Sequence, residues 1–337
     1  MRNPLKKVLL CLIGTFAFSP LLKSDCLADL SYLKDCLAPK DATYLDKALF
    51  RYTVSGQKET IKMLKQLPFF EATIEKAFVD ADIPAWLKYI PLAESRLKIS
   101  AVSPAGAVGL WQIMPRTGRS LGLTINEQVD ERLDTYKASV AAAKYLKQLH
   151  QQFDDWLLAL AAYNCGASNV RKAQRRSGGY FYHEISRFLP QQTRRYIPRV
   201  LTIARIARKP QAFGLSVPRL SSPPVVVTVT KSTRLSDIAR YFCMSPTQLR
   251  TLNPSFLTGK ISTADLPAQV VIPAIVYLSN ERISILKISQ HLQVEAISPA
   301  SILIDQAQQA PLAFEKKAQN EGAQIHPLLA FSLPLPV

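Results

Sequence analysis

The chain has 337 residues, 48% of them hydrophobic, and a formal charge of +17 at pH 7. That length and apolar content exclude a disordered chain or one small domain, and they predict two folded units plus tails. The charge favours polyanionic partners, leaving nucleic acid, an acidic membrane face and an anionic wall polymer to be told apart.

The N-terminus begins to separate them. Arg2, Lys6 and Lys7 precede an apolar run Val8–Phe18 that ends before Pro20. This is shorter than the roughly 20 apolar residues a spanning helix needs, so residues 1–28 read as a secretory signal. Cleavage after Ala28 is expected, with an uncleaved signal anchor as the alternative. Both place the body of the protein in the periplasm or cell envelope, which ranks nucleic acid low and favours anionic wall or membrane surfaces. Cys11, Cys26, Cys36, Cys165 and Cys243 form no C-x-x-C pair, and cleavage would leave an odd number of them, against a disulfide framework. The four histidines have no ligand-like spacing, so no metal and no cofactor are expected.

Residues 29–80 read as a helical lead-in, with Leu45, Leu49, Ile61, Leu64 and Leu67 at helical spacings. Pro84 then opens a stronger helix whose Trp86, Ile90 and Ala93 share a face that leads to Glu94. No acid follows from Ser95 through Asn126, while Arg96, Lys98, Arg116 and Arg119 are basic. A carboxyl alone on an apolar floor has a raised pKa and can donate a proton at neutral pH. The alternative is a surface glutamate at a fraying helix end.

The stretch Ser103–Gly109 is built of small residues that let backbone approach a ligand, and Leu110, Trp111 and Gln112 follow. Gln112 both donates and accepts, as a sugar hydroxyl or acetamido group requires. Asp134 or Thr135 caps a long helix with Ala142, Leu146, Leu149 and Phe153 on its core face. The run Trp156–Tyr163 is apolar on every side and predicts a buried helix that Gly166 terminates. Tyr163 and Asn164 at its end are either caps or substrate contacts.

Arg171–Gly179 reads as a basic loop, and Pro198 marks the start of a helix over Arg199–Ala207. Prolines at 210, 218, 223 and 224 end the helical character, with a Pro-rich linker expected over residues 215–224. Beyond it a β-α-α-β pattern is predicted: strand Val225–Thr230, helix Leu235–Phe242, a helix from Ser245-Pro246 to Asn253, and strand Gln269–Ile272. Residues 275–337 form a tail without a functional reading.

With Glu94-Ser95, Gly106–Pro115, Ala162–Gly166 and Tyr196 in that order, the chain resembles the family 1 lytic transglycosylases of the bacterial cell wall. Trp111, Asp130-Glu131-Arg132 and Thr193–Pro198 resemble the membrane-bound D branch of that family, and the likeness covers Ala48 to Gly214. Residues 225–274 resemble a LysM peptidoglycan-binding module through Leu235, Ile238-Ala239, Leu249, Leu252-Asn253 and Ile272-Pro273. Two departures stand out. Ser232-Thr233 replaces the Gly-Asp turn common in LysM repeats, and neither Cys11 nor Cys26 follows the small residues that precede a lipidated cysteine.

The resemblance implies a mainly α protein: a lysozyme-like helical catalytic domain over residues 81–214, followed by a small β-α-α-β LysM-like module. It implies peptidoglycan glycan strands as substrate, cut at the β-1,4 bond after N-acetylmuramic acid to leave 1,6-anhydro ends, and a monomer is expected. Glu94 would be the catalytic acid and then base. Ser95 and Gln112 would orient the glycan, and Tyr163, Asn164 and Tyr196 would position the sugar and Glu94. Met114 and Trp111 face either the glycan or the core. Ordinary glycosidases use two carboxylates, whereas one suffices if the substrate's own C6 hydroxyl attacks. A muramidase-type hydrolase would need a second acid, Asp130, Asp134 or Asp155, beside Glu94. A non-catalytic wall-binding protein is the remaining alternative.

Overall fold

A computed structural model describes residues 37–218 and 224–273. The expected signal segment, the start of the lead-in and the C-terminal tail lie outside the described residues. So do three of the five cysteines; Cys165 and Cys243 are free thiols. The described residues all fall within one compact unit, Met1–Val294. Among them no helix is long and apolar enough to cross a membrane.

The fold is mainly α, as expected. Helix α1 (Pro39–Phe50) passes through a π turn, Arg51–Ser55, into α2 (Gln57–Ala81). α2 buries Met63, Leu64, Leu67, Phe70, Ile74 and Phe78, a three-and-four spacing that turns one face inward. The helix expected from Pro84 to Glu94 is instead split into a 3₁₀ segment, Ala85–Tyr89, and a short α3 (Ile90–Glu94). Pro91 explains the split: it has no N–H to return to the preceding turn, so the chain tightens before it.

After α4 (Pro115–Ser120), the long α5 (Thr135–Phe153) starts at Asp134, whose carboxylate accepts from Lys137 N at 2.8 Å. α6 (Trp156–Cys165) runs through the centre, with Leu158 to Ala162 fully buried. Its apolar surroundings on every side follow from its sequence, because a helix without a polar face has nothing to offer water.

Two further expectations are corrected. The segment read as a basic loop is helical: α7 (Ala167–Ser177) puts Val170 and Ala173 into the core and turns its arginines and lysine outward, and only Gly178-Gly179 form the loop. Two buried contacts three apart suffice to dock a helix whose other residues are mostly polar or charged. Pro198 does not begin a helix but lies inside α9 (Gln191–Arg208), which follows Pro190 and a very short α8 (Tyr182–Ile185). The proline ring sits on the buried side of α9, and the Thr202 hydroxyl donates to Pro198 O at 2.7 Å.

The β-α-α-β order beyond the prolines is present. β1 (Val225–Val229) pairs antiparallel with β4 (Ala268–Ile272), Val227 opposite Val270. A small second pair joins β2 (Thr233–Arg234) to β3 (Lys260–Ile261), and α10 (Leu235–Tyr241) and α11 (Pro246–Leu252) pack between the strand pairs.

The lead-in is part of the helical core. Asp41 in the first turn of α1 is fully buried, and Arg194 of α9 donates to its Oδ1 from Nε at 2.9 Å and Nη2 at 2.6 Å. Replacing Asp41 with Ala leaves a guanidinium partly buried without its carboxylate, which costs about 3 kcal/mol. Urea unfolding of Asp41→Ala is expected to show a lower midpoint at an unchanged slope. An unchanged midpoint would mean that α1 contributes nothing through this pair.

Candidate active site

Glu94 is the last residue of α3, and the chain reverses directly after it. Arg96 and Leu97 both adopt left-handed backbone, with φ of 55° and 59°, a conformation costly for side chains with a Cβ. Leu97 is buried and its N–H reaches back to Pro91 O at 3.3 Å, so burial of the leucine holds the reversal in place. Ser95 is buried as well. Its hydroxyl lies 3.2 Å from Pro91 O and 2.9 Å from Leu110 O, tying the end of α3 to the loop that follows. The Ser95 hydroxyl, expected to orient the glycan, is engaged with backbone here.

That loop is a tight hairpin. Val108 and Ile113 exchange both backbone hydrogen bonds, at 3.2 and 3.1 Å, and present Leu110, Trp111 and Gln112 at the tip. Gln112 also has left-handed backbone, φ 49°, and its amide nitrogen donates to Gly109 O at 2.9 Å and Ala101 O at 3.2 Å. Its donor side is used within the loop, so what it offers a ligand is its carbonyl oxygen. Met114, next to the hairpin, is 41% exposed and open to a ligand.

Trp111 is core. It has no exposed surface, its indole N–H donates to Ser139 Oγ at 2.9 Å, and its ring lies against Phe78. Tyr163 of α6 donates from its hydroxyl to Trp111 O at 2.7 Å, a further tie between the central helix and the hairpin. Asn164 Oδ1 accepts from Thr193 Oγ1 at 2.9 Å, joining α6 to α9.

The structure thus brings Tyr163 and Tyr196 close to Glu94, while Ser95, Gln112 and Asn164 tie neighbouring segments together through their own hydrogen bonds. Burial pushes the Glu94 carboxyl above the ordinary carboxylate range, and Tyr196 and Arg199 draw it partly back. The Tyr196 hydroxyl is buried and close enough to act on Glu94, yet it makes no hydrogen bond of ordinary length. No carboxylate acts on Glu94 among the described residues. The three candidate second acids are engaged elsewhere: Asp130 with Arg132, Asp134 on the N-terminus of α5, and Asp155 on that of α6 through Leu158 N at 2.8 Å.

Two residues near the site had no reading of their own in the sequence. Arg199 lies one turn beyond Tyr196 on α9, with its guanidinium 5.5 Å from the Tyr196 ring centre and a buried Nε without a hydrogen-bond partner. Its three-residue spacing from Tyr196 was the available signal. Arg132 was visible only as part of a motif. Its guanidinium is paired with Asp130 and donates from Nη1 to Gly106 O at 3.1 Å and Ile113 O at 3.2 Å, both on the hairpin.

Residues 72–185 match the family described as Transglycosylase SLT domain. Membrane-bound lytic murein transglycosylase D of Escherichia coli is 32% identical over 197 residues, covering 57% of this chain and 43% of that protein. Membrane-bound lytic murein transglycosylase F of Shewanella pealeana is 31% identical over 119 residues, 33% of this chain and 23% of that protein. The chain thus spans less than half the length of these relatives. Among solved structures, the 70 kDa soluble lytic transglycosylase of Escherichia coli aligns at 21% identity with a TM-score of 0.39, covering 55% of this chain and 33% of that one.

Proposed function

We propose that this chain is a lytic transglycosylase of the cell envelope that cuts peptidoglycan at the β-1,4 bond between N-acetylmuramic acid and N-acetylglucosamine. The SLT match over residues 72–185 supports the class of enzyme. The observation that carries the reaction is the state of Glu94: a half-buried residue whose carboxyl is held above its ordinary range, with Tyr163, Tyr196 and Arg199 as ionisable neighbours and no second carboxylate acting on it among the described residues.

Protonated Glu94 gives its proton to the glycosidic oxygen as the bond from that oxygen to muramic C1 breaks. The resulting carboxylate takes the proton of the C6 hydroxyl, whose oxygen closes on C1. Glu94 ends protonated, no water is consumed, and the muramic end is a 1,6-anhydro ring. Intramolecular attack supplies the effective molarity that a second carboxylate and a bound water would otherwise have to provide. The Tyr196 hydroxyl lies close enough to Glu94 to hold the carboxylate after the first transfer. The β-α-α-β unit is read as LysM-like, and the excess positive charge as attraction to anionic wall or membrane surfaces.

Mass spectrometry of peptidoglycan digested by the protein tests the reading. Fragments ending in anhydro-muramic acid are expected. Fragments of the same length carrying an added water would assign a hydrolase instead, and no fragments at all would leave a wall-binding protein.

A further inference from the structure

Val129 belongs by sequence to the helical domain, yet it is 5% exposed and completes the core of the β-α-α-β unit beside Leu249, Phe256 and Val270. It pairs antiparallel with Phe256, flanked by Asp130 N to Ser255 O and Leu257 N to Gln128 O, both 3.0 Å. This is the wide, non-hydrogen-bonded kind of pair, in which the two side chains come closest. The unit is thus joined to the helical domain by backbone and by core, in addition to the chain that connects them.

The joint leads to the active-site hairpin. Within the unit, Asn253 fixes the Ser255–Leu257 segment to β4, donating to Val271 O at 2.9 Å and accepting from Val271 N at 2.7 Å. Ser255 O holds the Asp130 backbone, and both Asp130 carboxylate oxygens bind the Arg132 guanidinium, at 2.9 and 2.7 Å. Arg132 in turn holds Gly106 O and Ile113 O, one on each side of the hairpin that carries Gln112. Asp130 and Arg132 are both buried, so water does not replace either partner if the pair is disturbed.

We propose that the 224–273 unit serves as a brace for the catalytic hairpin, with Asp130 and Arg132 as positioning residues that transmit its docking to Gln112 and to the Ser95 tether beside Glu94. The functional part of this inference rests on the transglycosylase reading of the Glu94 site; the structural part does not. The unit's role then differs from that of a freely tethered binding module, since its Ser255–Leu257 edge is spent on the helical domain.

The test uses the full chain. Val129→Asp places a charge in the shared core and is expected to undock the unit, seen as faster hydrogen exchange at the Leu257 and Asp130 amides. The proposal expects the Val108, Gly109 and Ile113 amides to exchange at least about tenfold faster in the same variant, and kcat on peptidoglycan to fall about tenfold or more as the hairpin loses its register. Asp130→Asn keeps the backbone bond to Ser255 but takes the charge from Arg132. It is expected to loosen the hairpin amides while leaving Leu257 protected, and it decides the matter if Val129→Asp does not fold. Hairpin exchange within about twofold of wild type, in an undocked Val129→Asp or in Asp130→Asn, would overturn the brace. Hairpin exchange is read without activity, so a failed transglycosylase assignment would show separately, as wild-type digests without anhydro ends.

Discussion

Glu94→Gln is expected to lower turnover on peptidoglycan by about 10⁴-fold or more, because one carboxyl supplies both proton transfers and each is ordinarily worth about 10² to 10⁴. An amide is nearly the same size and cannot release the proton in the first step or take one in the second. Binding to sacculi should persist, since the walls of the site are built by the hairpin, α6 and α9. Loss of less than about tenfold would take the acid away from Glu94. The pH dependence follows from the direction of its shift. Burial raises the carboxyl above the ordinary range, and the competent starting form is the protonated one, so kcat/KM should be highest below the raised value and decline as pH passes through it. Stability moves in the same direction with pH. Between the ordinary carboxylate range and the raised value, the folded chain binds more protons than the unfolded one, so wild-type stability falls as pH rises through that window. Glu94→Gln removes that loss, and its melting temperature should match wild type at low pH and exceed it at neutral pH.

Gly109→Ala is expected to damage the site too, from outside the chemistry. Gly109 has φ of 84°, and a Cβ placed on it would lie 2.0 Å from Arg132 O and 3.0 Å from Arg132 C. Both atoms are backbone, and neither side can yield easily: Gly109 N is bonded to Ala101 O at 2.8 Å, and Gly109 O accepts from the Gln112 side chain. The hairpin and the Arg132 segment must therefore separate, breaking the Arg132 bonds to Gly106 and Ile113. A destabilisation of about 3 kcal/mol or more is expected in urea unfolding, with an activity loss of about 10²-fold from displacement of Gln112 and the Ser95 tether. Gly106→Ala is the control, since its added Cβ meets nothing within 4 Å and only the backbone cost at φ 85° remains. Equal effects at the two glycines would mean that contact with Arg132 is not what matters.

Much of the helical framework was legible because its signals are local. The three-and-four spacing in α2, the Asp134 cap of α5 and the all-apolar α6 each follow from a short run of residues, and so does the β-α-α-β order after residue 224. The misreadings were of segments where tertiary contacts outweigh composition. α7 looks like a charged loop until its two buried residues are seen docked, and Pro198 looks like a helix start until α9 is seen to continue through it.

The site divides along the same line. The sequence alone determined that Glu94 stands without acidic neighbours along the chain and beside a small-residue loop, because both are properties of a single stretch. Only the tertiary structure decided that no described Asp folds back beside it, since Asp130, Asp134 and Asp155 find their partners through space. It also turned Trp111 into the core, used the Ser95 hydroxyl as a tether, and brought Arg199 to Glu94 and Arg132 to the hairpin. Burial raises a carboxyl's pKa according to everything that surrounds it, and those surroundings come from α3, α6 and α9, segments spread over about a hundred residues of the chain.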